Sequence, residues 1–465
     1  MHKYCFLLLL CVIGPKAFPA QAAPKPDIVF ILADDLGFYD VGWRGSEIKT
    51  PNLDALCARG AKLENFYVQP VCSPTRSSLM TGRYPMRYGM QVGVIRPWAD
   101  YGMPLNERTL AQALREAGYT TAICGKWHLG SFDKAYWPNA RGFDHWYGHL
   151  VGALDYFTHM RDGKLDWYRD GVLNHDEGYS TDLLALEACK LILNQPKDKP
   201  LFLYVPFNAV HGPVEAPDKY KEMYPQFKRQ RQTYAADATA MDAGVGKIVA
   251  AVDEAGRRAN TLFIFASDNG GERPGRVSSN GPLRAGKHTL YEGGVHACAF
   301  ATWDGHIKPG ISVEALSHIV DWYPTLITLA GGSLKQPLPL DGKDIWPCLT
   351  RGAKSPHSDI LINSTPFNGA IRAGDWKLVI NGQMNDYIGP DKVEEHDRLK
   401  AAGKWSDQIE LFDLSKDLGE KNNLANSRPD EVRKLRKRYE RYASQAVPPK
   451  NKPGSVEYLK APDSK

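Results

Sequence analysis

The sequence is poor in cysteine, and its cysteines form no compact pattern. Of the eight present, Cys5 and Cys11 lie close to the N-terminus, and the others are Cys57, Cys72, Cys124, Cys189, Cys298 and Cys348. They form no zinc-type C-x-x-C pair, and their wide spacing argues against a dense disulfide framework. An oxidising compartment would allow disulfides, whose pairing the sequence leaves open.

Long apolar runs are also missing. The run Tyr4–Ile13 is too short to cross a bilayer, and no later stretch is long enough. It follows Lys3 and leads to Ala20-Gln21-Ala22, which fits the A-x-A pattern of a signal-peptide cleavage site. We therefore expect residues 1–22 to be a cleaved signal peptide. The mature chain would begin near Ala23, carry no membrane span, and be periplasmic or secreted.

A strong charge of either sign is absent as well. The formal net charge of +5 over 465 residues is too small to indicate a nucleic-acid partner, and it does not repel an anionic substrate. The chain length and the hydrophobic content of 43% are sufficient for one large domain and a smaller one.

What is present is an alternation of apolar runs and helical patterns. Apolar runs without alternation predict strands that are covered on both faces, at Ile28–Ala33, Thr121–Cys124, Leu201–Phe207 and Leu262–Ala266. Helical patterns lie between them, at Leu110–Ala117, Tyr179–Asn194 and Tyr234–Ala255. This order predicts an α/β domain over residues 23–349, with a large, mostly parallel sheet flanked by helices.

The pattern changes after Leu349. Segments Ala370–Ile380 and Ile409–Leu414 are typical of antiparallel strands, and Ser427 is predicted to cap a final helix. One face of that helix would be apolar, formed by Val432, Leu435, Tyr439 and Tyr442. Residues 350–447 are therefore predicted to form a smaller α+β subdomain with an antiparallel sheet. A loose tail would follow over residues 448–465.

Polar side chains follow each of the predicted buried strands. In chain order they are Asp34 and Asp35, then Lys126 and His128, then His211, and finally Asp268 with Asn269. In open α/β sheets, ligands bind beyond the carboxyl ends of the strands. We therefore expect these polar groups to converge on one site.

Residues Cys72-Ser73-Pro74-Thr75-Arg76 fit the pattern C-x-P-x-R, and Thr81-Gly82-Arg83 follows. The helical pattern after Arg76 places residue 72 at a helix N-terminus, where free backbone N–H groups favour an anion. The segment resembles the signature of the type I sulfatases, an alkaline-phosphatase-like family in which this cysteine is oxidised to formylglycine. The resemblance implies that a formylglycine-generating maturation enzyme acts on Cys72.

Such an aldehyde has a clear chemical advantage over cysteine or serine. Its hydrate carries two hydroxyls on one carbon, so that one oxygen attacks sulfur and the other later expels sulfate as the aldehyde re-forms. A metal ion lowers the pKa of such hydroxyls. The resemblance implies one Ca²⁺ bound by Asp34, Asp35, Asp268, Asn269 and the oxygen of residue 72. All these ligands are oxygens, which suit calcium or magnesium rather than zinc.

Other motifs of the family supply cationic and acid–base groups. In Gly125-Lys126-Trp127-His128-Leu129-Gly130, Lys126 would hold the sulfate, and His128 would orient the nucleophile or take its proton. Both side chains would point the same way if this segment is extended. The resemblance also implies roles for three further residues. They are His211 as general acid, Lys287 as a second sulfate ligand, and Arg76 as a ligand of the residue-72 oxygen.

The resemblance covers almost the whole mature chain and is closest to the arylsulfatase B type, the N-acetylgalactosamine-4-sulfatases. It implies a sulfated saccharide substrate with the sulfate on O4 of galactose or N-acetylgalactosamine. The chain is shorter than lysosomal members between Ile380 and Ile409, which leaves the exact sugar open.

The choice of sugar depends on hydrogen bonds to its neighbouring hydroxyls. We expect those contacts from loops at Arg96–Tyr101, His145–Tyr156 and Phe367–Ile371. Several aromatic residues would either stack on the sugar or belong to the core, namely Trp98, Trp146, Tyr147, His149 and Tyr156.

Two other functions remain as alternatives. A phosphodiester or phosphonate monoester hydrolase of the same superfamily would share the fold. Its two-metal members need a second His/Asp cluster, where this sequence has Lys126 and Lys287. A non-catalytic protein that binds sulfated glycans would be expected to lack Cys72 or a metal-binding aspartate, and this chain has them all.

Overall fold

A computed structural model of the protein describes residues 25–384 and 390–451. The predicted signal peptide and most of the predicted tail lie outside these ranges. The strands are β1 (Asp27–Ala33), β2 (Ala61–Leu63), β3 (Phe66–Tyr67), β4 (Thr120–Lys126), β5 (His145–His149), β6 (Met160–Arg161), β7 (Lys164–Leu165), β8 (Tyr168–Arg169), β9 (Val172–Leu173), β10 (Leu201–Pro206), β11 (Thr261–Ser267), β12 (Ala299–Thr302), β13 (Ile311–Val313), β14 (Ser317–His318), β15 (Ile360–Ser364), β16 (Gly369–Ala373), β17 (Trp376–Ile380) and β18 (Ile409–Asp413). The α-helices are α1 (Pro51–Ala58), α2 (Cys72–Thr81), α3 (Leu110–Glu116), α4 (Ser180–Asn194), α5 (Asp218–Lys221), α6 (Arg229–Glu254), α7 (Glu292–Val295), α8 (Trp322–Leu329), α9 (Trp346–Arg351), α10 (Pro390–Ala401) and α11 (Pro429–Ala443).

The main sheet has 10 strands in the order β13-β2-β12-β11-β1-β10-β4-β5-β8-β9. The strands in its middle, from β11 to β5, are all parallel, and antiparallel pairs flank them on both sides. The predicted buried strands correspond to β1, β4, β10 and β11, so the prediction of a large, mostly parallel sheet is confirmed. Because these strands are adjacent and parallel, their carboxyl ends lie at the same edge of the sheet.

Both faces of this sheet are covered, as the apolar runs predicted. In β1, Ile28, Phe30 and Leu32 pack in a core cluster that includes residues of α3 and α8. Val29 and Ile31 face the other way and pack with residues of α4 and α6. Helix α6 begins at residue 229 rather than the predicted 234. Its first turn is polar and lies largely at the surface, and therefore adds no apolar periodicity to the sequence.

The C-terminal part forms a four-stranded antiparallel sheet in the order β15-β16-β17-β18, as the sequence predicted in outline. The predicted segment Ala370–Ile380 is a hairpin, β16 and β17, that turns at Gly374, where φ is 58° and glycine is favoured. Strand β15 had no counterpart in the sequence prediction.

Helix α11 packs on this sheet with the face that the sequence predicted. Leu435 and Tyr439 are buried there, and Val432 and Tyr442 are partly buried. The predicted cap is wrong. The N-cap is Arg428 and the helix begins at Pro429, whose fixed φ suits the first helical position. The hydroxyl of Ser427 instead donates to the carbonyl oxygen of Leu424 at 3.1 Å.

Three further features bear on the sequence predictions. No helix among the described residues is long and apolar enough to cross a membrane. The cysteines of the described part, from Cys57 to Cys348, are all unpaired. The start of the predicted tail is bound to the chain, since the backbone N–H of Lys450 donates to the carbonyl oxygen of Gly89 at 2.8 Å.

A buried ionic network joins the C-terminal sheet to helix α7. Lys377 of β17 is fully buried and lies 2.8 Å from Glu292 of α7 and 2.9 Å from Glu420. Glu292 also accepts hydrogen bonds from the hydroxyl of Tyr67 at 2.7 Å and from His296 at 2.9 Å. The burial of Glu292 opposes its ionisation, but the charge of Lys377 outweighs this and holds the pKa of Glu292 well below its usual range. Lys377 therefore holds the segment around α7 against the C-terminal sheet.

Candidate active site

The polar residues beyond β1 and β11 come together at the carboxyl edge of the sheet. The backbone N–H of Asp268 donates to the carbonyl oxygen of Ala33 at 3.0 Å. The backbone N–H of Asp35 donates to Oδ1 of Asp268 at 3.2 Å. Asp34, Asp35, Asp268 and Asn269 are all buried, each at most 1% exposed. The sheet topology thus produces the predicted convergence, because these loops leave neighbouring parallel strands.

Cys72 lies at the first position of α2, as the motif predicted. Its thiol donates to Oδ1 of Asp34 at 3.4 Å. Burial, together with the charge of Asp34, raises the pKa of the Cys72 thiol above its usual range. The unmodified thiol is therefore neutral, and a neutral thiol is a poor nucleophile.

A set of possible metal ligands surrounds Cys72. Carboxylate oxygens of Asp34 and Asp35, the sulfur of Cys72 and a ring nitrogen of His211 all lie within 4.8 Å of one another. The side-chain N–H of Asn269 donates to Oδ1 of Asp35 at 2.7 Å, whereas its buried Oδ1 accepts no hydrogen bond in the structure. A buried oxygen without a donor beside several carboxylates fits a hard cation.

Arg76 lies under this set and is almost completely buried. Its Nε and one terminal nitrogen donate to Oδ2 of Asp268, at 3.1 and 2.8 Å. The other terminal nitrogen donates to the carbonyl oxygen of Lys126 at 3.1 Å. These bonds orient Asp268 and the end of β4. The contact between Arg76 and an oxygen of residue 72, which the resemblance implies, stays a prediction. Burial and the charge of Asp34 raise the pKa of Asp268 to about 6.

The predicted sulfate-binding lysines are each paired with a different aspartate. Lys126 is fully buried and donates to Oδ2 of Asp34. Lys287 donates to Oδ2 of Asp35 at 2.7 Å. Burial opposes ionisation of Asp35, but the charge of Lys287 outweighs it and holds the pKa of Asp35 well below its usual range. Each lysine thus compensates one buried carboxylate.

His128 differs from the extended geometry that the sequence predicted. Strand β4 ends at Lys126, and His128 has a φ of 57°, in the left-handed region. Its Nε2 lies 2.9 Å from the carbonyl oxygen of Ile95, which only accepts, so Nε2 carries the proton. The buried Nδ1 has no partner and is left as an acceptor. Burial and the charge of Lys126 hold the pKa of His128 well below its usual value, so the ring is neutral.

His211 is held by the loop after β10. Its Nδ1 lies 2.6 Å from the carbonyl oxygen of Gly212 and therefore donates to it. Its Nε2 is 3.7 Å from Oδ2 of Asp35. Burial and the charge of Lys287 lower the pKa of His211 to about 3. Without a bound anion, His211 is therefore neutral at neutral pH.

A cavity of about 100 Å³ opens onto these groups. Its walls include Cys72, His128, His211 and Lys287 of the predicted site residues. Gly152 lies directly against His128 on one side of the cavity. A Cβ at position 152 would lie 2.4 Å from Cε1 of the imidazole. Sequence reasoning missed other lining residues, namely Arg161, His288 and Val94. No motif marks them, and only the folding of distant segments brings them to the cavity.

The predicted loops contribute unequally to this cavity. Arg96 and Pro97, and the stretch Gly152-Ala153, line it, whereas Phe367 and Asn368 line a different cavity. The aromatic residues that the sequence left undecided are mainly part of the core. Trp146, Tyr147, His149 and Tyr156 are each at most 1% exposed.

Comparison with known proteins gives a consistent result. A family model described as Sulfatase matches residues 26–333. Arylsulfatase J of Mus musculus is 39% identical over 472 residues, covering 93% of this chain and 78% of the relative. N-acetylgalactosamine-6-sulfatase of Mus musculus is 34% identical over 370 residues, covering 74% of this chain and 70% of the relative. The crystal structure of Ps i-CgsB in complex with k-i-k-neocarrahexaose has a TM-score of 0.80 at 31% identity, covering 91% of this chain and 94% of that chain.

The geometry of Arg76 generates a test of how the site is held together. Lysine in place of Arg76 keeps the charge but cannot bond both Asp268 and the carbonyl of Lys126. We expect Arg76→Lys to lower the free energy of unfolding by about 1–3 kcal/mol, the usual cost of an unsatisfied buried polar group. Urea denaturation measures the loss.

The matched control is Arg59→Lys. Arg59 also donates through Nε and a terminal nitrogen to one aspartate, Asp304, but this pair lies at the surface. We expect a change below about 0.5 kcal/mol there. Equal losses in the two variants would show that the buried bonds of Arg76 do not stabilise the site.

Proposed function

The chain belongs to the type I sulfatase family and is a sulfuric ester hydrolase, and from this premise we propose that it releases sulfate from a sulfated saccharide with a formylglycine at position 72 and one bound Ca²⁺. The observation that carries the proposal is the surroundings of Cys72. It lies at a helix N-terminus beside Asp34 and Asp35, and it lines a small cavity together with His211 and Lys287.

Conversion of Cys72 to formylglycine would provide the nucleophile that the buried thiol does not. The thiol of Cys72 is buried and neutral, so it is unsuited to attack sulfur as it stands. As a hydrated aldehyde, residue 72 would supply two hydroxyls on one carbon, one to attack sulfur and one to release the sulfate. The backbone N–H groups at the start of α2 would favour the developing negative charge.

We place the cation among Asp34, Asp35, Asp268, Asn269 and the oxygen of residue 72. A bound Ca²⁺ would lower the pKa of a hydroxyl on residue 72 and offset the charges of the aspartates. The support is the chemistry of the ligands, all of them oxygens, and the buried Oδ1 of Asn269 that accepts no hydrogen bond. Arg76 orients Asp268 for this role.

The remaining residues act on the ester. Lys287 lies on the cavity wall and would bind a sulfate oxygen. Lys126, which is paired with Asp34, would add positive charge to the site. His128 would accept a proton at Nδ1, because its Nε2 is held by Ile95. His211 would protonate the leaving oxygen from Nε2. For this, His211 must itself be protonated at Nε2. A bound sulfate would favour the protonated ring, because its negative charge offsets the charge of Lys287, which lowers the pKa of His211.

The metal-ligand and lysine positions favour a sulfate ester over a phosphate ester as the substrate. Among the described residues, only one group of His, Cys, Asp and Glu side chains is compact enough to hold a metal ion. A two-metal phosphoryl-transfer enzyme would need a second one. Lys126 and Lys287 lie against the aspartates, where they suit a sulfate monoanion.

We further propose that the protein is exported and matured by a formylglycine-generating enzyme, and that its substrate carries the sulfate on O4 of galactose or N-acetylgalactosamine. The O4 assignment comes from the resemblance of the sequence motifs to the arylsulfatase B type, and this resemblance stays a prediction. The curated relatives also include an N-acetylgalactosamine-6-sulfatase, so the ring position needs its own test.

The first test concerns residue 72. We expect mass spectrometry of the tryptic peptide of residues 63–76, from enzyme made in its natural host, to show an aldehyde in place of the thiol. The Cys72→Ser variant should lose nearly all turnover of 4-nitrophenyl sulfate, whereas Cys189→Ser, in a half-buried cysteine of α4, should keep it. Full activity with an unmodified thiol, or faster turnover of 4-nitrophenyl phosphate, would refute the mechanism.

The second test concerns the cation. Added Ca²⁺ should raise the melting temperature, because a ligand at 100 times its Kd stabilises the folded state by about 2.7 kcal/mol. Asn269→Ala should weaken the effect by removing one oxygen ligand. Asn194→Ala, at an exposed asparagine, is the control and should respond like the wild type. An Asn269→Ala variant with the same Ca²⁺ titration curve as the wild type would remove Asn269 from the ligand set.

The third test concerns the substrate. Matched 4-sulfated and 6-sulfated galactosamine and glucosamine oligosaccharides should be compared by kcat/KM. We expect the 4-sulfated galactosamine compounds to react fastest. A preference for 6-sulfates, or for glucosamine, would reject the O4 assignment and leave the reaction type unaffected.

A further inference from the structure

A second cavity borders the loop that carries His211. It has a volume of about 630 Å³, and its lining includes Gly212, Arg229 and Arg273. Gly212 follows His211, which lines the active-site cavity, so this one loop borders both cavities. The space beside Gly212 is open, since a Cβ there would meet no atom within 4 Å. An extended ligand bound at the active site can therefore also contact the second cavity.

The topology places both arginines at the edge of the sheet where the active site lies. Helix α6 leads at its C-terminus into the start of β11, so its own start, at Arg229, lies toward the carboxyl ends of the strands. Arg273 lies in the loop that leaves the carboxyl end of β11. Arg231 of α6 donates to the carbonyl oxygen of Val277 at 3.0 Å, and the N–H of Val277 donates to the carbonyl oxygen of Arg273 at 3.1 Å. These bonds hold the loop of Arg273 against the first turn of α6.

The basic residues at the start of α6 are electrostatically unfavourable for the helix. Lys228 is its N-cap and Arg229 its first residue, whereas its first turn has no acidic residue and no side-chain cap. The start of a helix carries partial positive charge and is stabilised by acidic rather than basic side chains. Arg231 is compensated, since it lies 2.7 Å from Asp40 and 3.0 Å from Glu47. Among the described residues, Lys228 and Arg229 form no ion pair.

Acidic groups of the second cavity do not balance its positive charge. Glu272 is the one acidic residue among the described residues that line it. The carboxylate of Glu272 lies 3.8 Å from Arg273, and the two side chains are 47% and 60% exposed. Such a surface pair contributes little to stability, so Arg273 can pair with a bound anion instead at little cost. With Arg229 also charged at every physiological pH, the cavity wall carries net positive charge.

Charges that oppose the helix on which they lie are typical of functional sites, where binding provides the compensating gain. We propose that Arg229 and Arg273 form a distal anion subsite. It binds a sulfate or carboxylate that the saccharide carries beyond the ring whose sulfate is removed, because the guanidinium group matches the oxygens of such anions. The substrate is therefore an anionic oligosaccharide or polysaccharide rather than a single sulfated ring. This inference rests on the proposed sulfatase function.

The test uses three tetrasaccharides that end in the same sulfated ring, the one that the wild type turns over fastest. The other rings are neutral in the first, carry sulfates in the second, and include uronic acids in the third. The kcat/KM of the wild type, Arg229→Gln and Arg273→Gln is measured for each, and for 4-nitrophenyl sulfate, which has no second anionic group. The control is Arg433→Gln, at an exposed arginine of α11 that pairs with Asp430, and it should match the wild type throughout.

We expect each cavity variant to lower the ratio of kcat/KM for an anionic tetrasaccharide to that for 4-nitrophenyl sulfate by about fivefold, the factor that corresponds to one ion pair at the surface. The ratio for the neutral tetrasaccharide should stay the same. A fall with the sulfated compound alone identifies sulfate as the bound group, a fall with the uronate alone identifies carboxylate, and a fall with both shows that either anion binds. High salt should reduce the difference, because it screens exposed charges.

Arg229→Gln should have a second effect, on stability. We expect its melting temperature at low salt to exceed that of the wild type, because a positive charge is removed from the start of α6. A lower melting temperature would show that Arg229 serves folding and would overturn its assignment to the subsite.

An equal fall with the neutral tetrasaccharide, or an unchanged ratio with both anionic ones, would overturn the distal subsite and leave the sulfatase function intact. The same holds if the wild type hydrolyses 4-nitrophenyl sulfate but none of the tetrasaccharides. A wild type that hydrolyses none of the four sulfate esters would instead overturn the proposed function. Circular dichroism spectra that match that of the wild type establish that the ratios report on binding rather than on folding.

Discussion

The structure depends above all on the compensation of buried negative charge at one edge of the main sheet. Asp34, Asp35 and Asp268 lie together out of contact with solvent, which would be very costly for unpaired carboxylates. Lys126, Lys287 and Arg76 each lie against one of them. Removing any partner would leave a buried charge uncompensated, and the site is therefore a single electrostatic unit. The same arrangement, with one oxygen of Asn269 unsatisfied, is suited to receive a cation and an anion together.

This unit imposes requirements on distant parts of the chain. The aspartates need neighbouring parallel strands, which place their loops at one edge. Lys287 comes from the segment before α7, and that segment is held by Glu292 and its buried partner Lys377 in the C-terminal sheet. The small antiparallel sheet thus supports the active site through an ion pair, although none of its residues lines the active-site cavity among those described.

Burial keeps Cys72, His128 and His211 in their neutral forms at neutral pH. Burial holds Cys72 as a thiol and keeps both His128 and His211 unprotonated. Each histidine uses one ring nitrogen to bond a backbone carbonyl, which leaves the other nitrogen without a proton in the neutral ring. The positive charge comes from lysine and arginine, which do not titrate near neutral pH. The cavity thus presents fixed positive charge to an anion, and the two histidines are the groups to which we assign proton transfer in the proposed function.

Sequence alone determined the family, the main sheet and the edge of the sheet at which the polar residues after its strands meet. Each of these follows from local patterns: apolar runs predicted β1, β4, β10 and β11, and the motif beginning at Cys72 marked the start of α2. The polar residues after each strand could be assigned to one edge, because parallel strands share a direction.

Only the tertiary structure decided how these groups are paired. It placed Arg76 on Asp268 and the carbonyl of Lys126, turned His128 out of the extended conformation, and brought Arg96 and Arg161 to one cavity wall. It also moved the start of α11 past Ser427 to Pro429. The physical reason is that apolar periodicity and motif spacing act over a few residues. The partner of a buried charge is instead fixed by the packing of segments that are far apart in the chain.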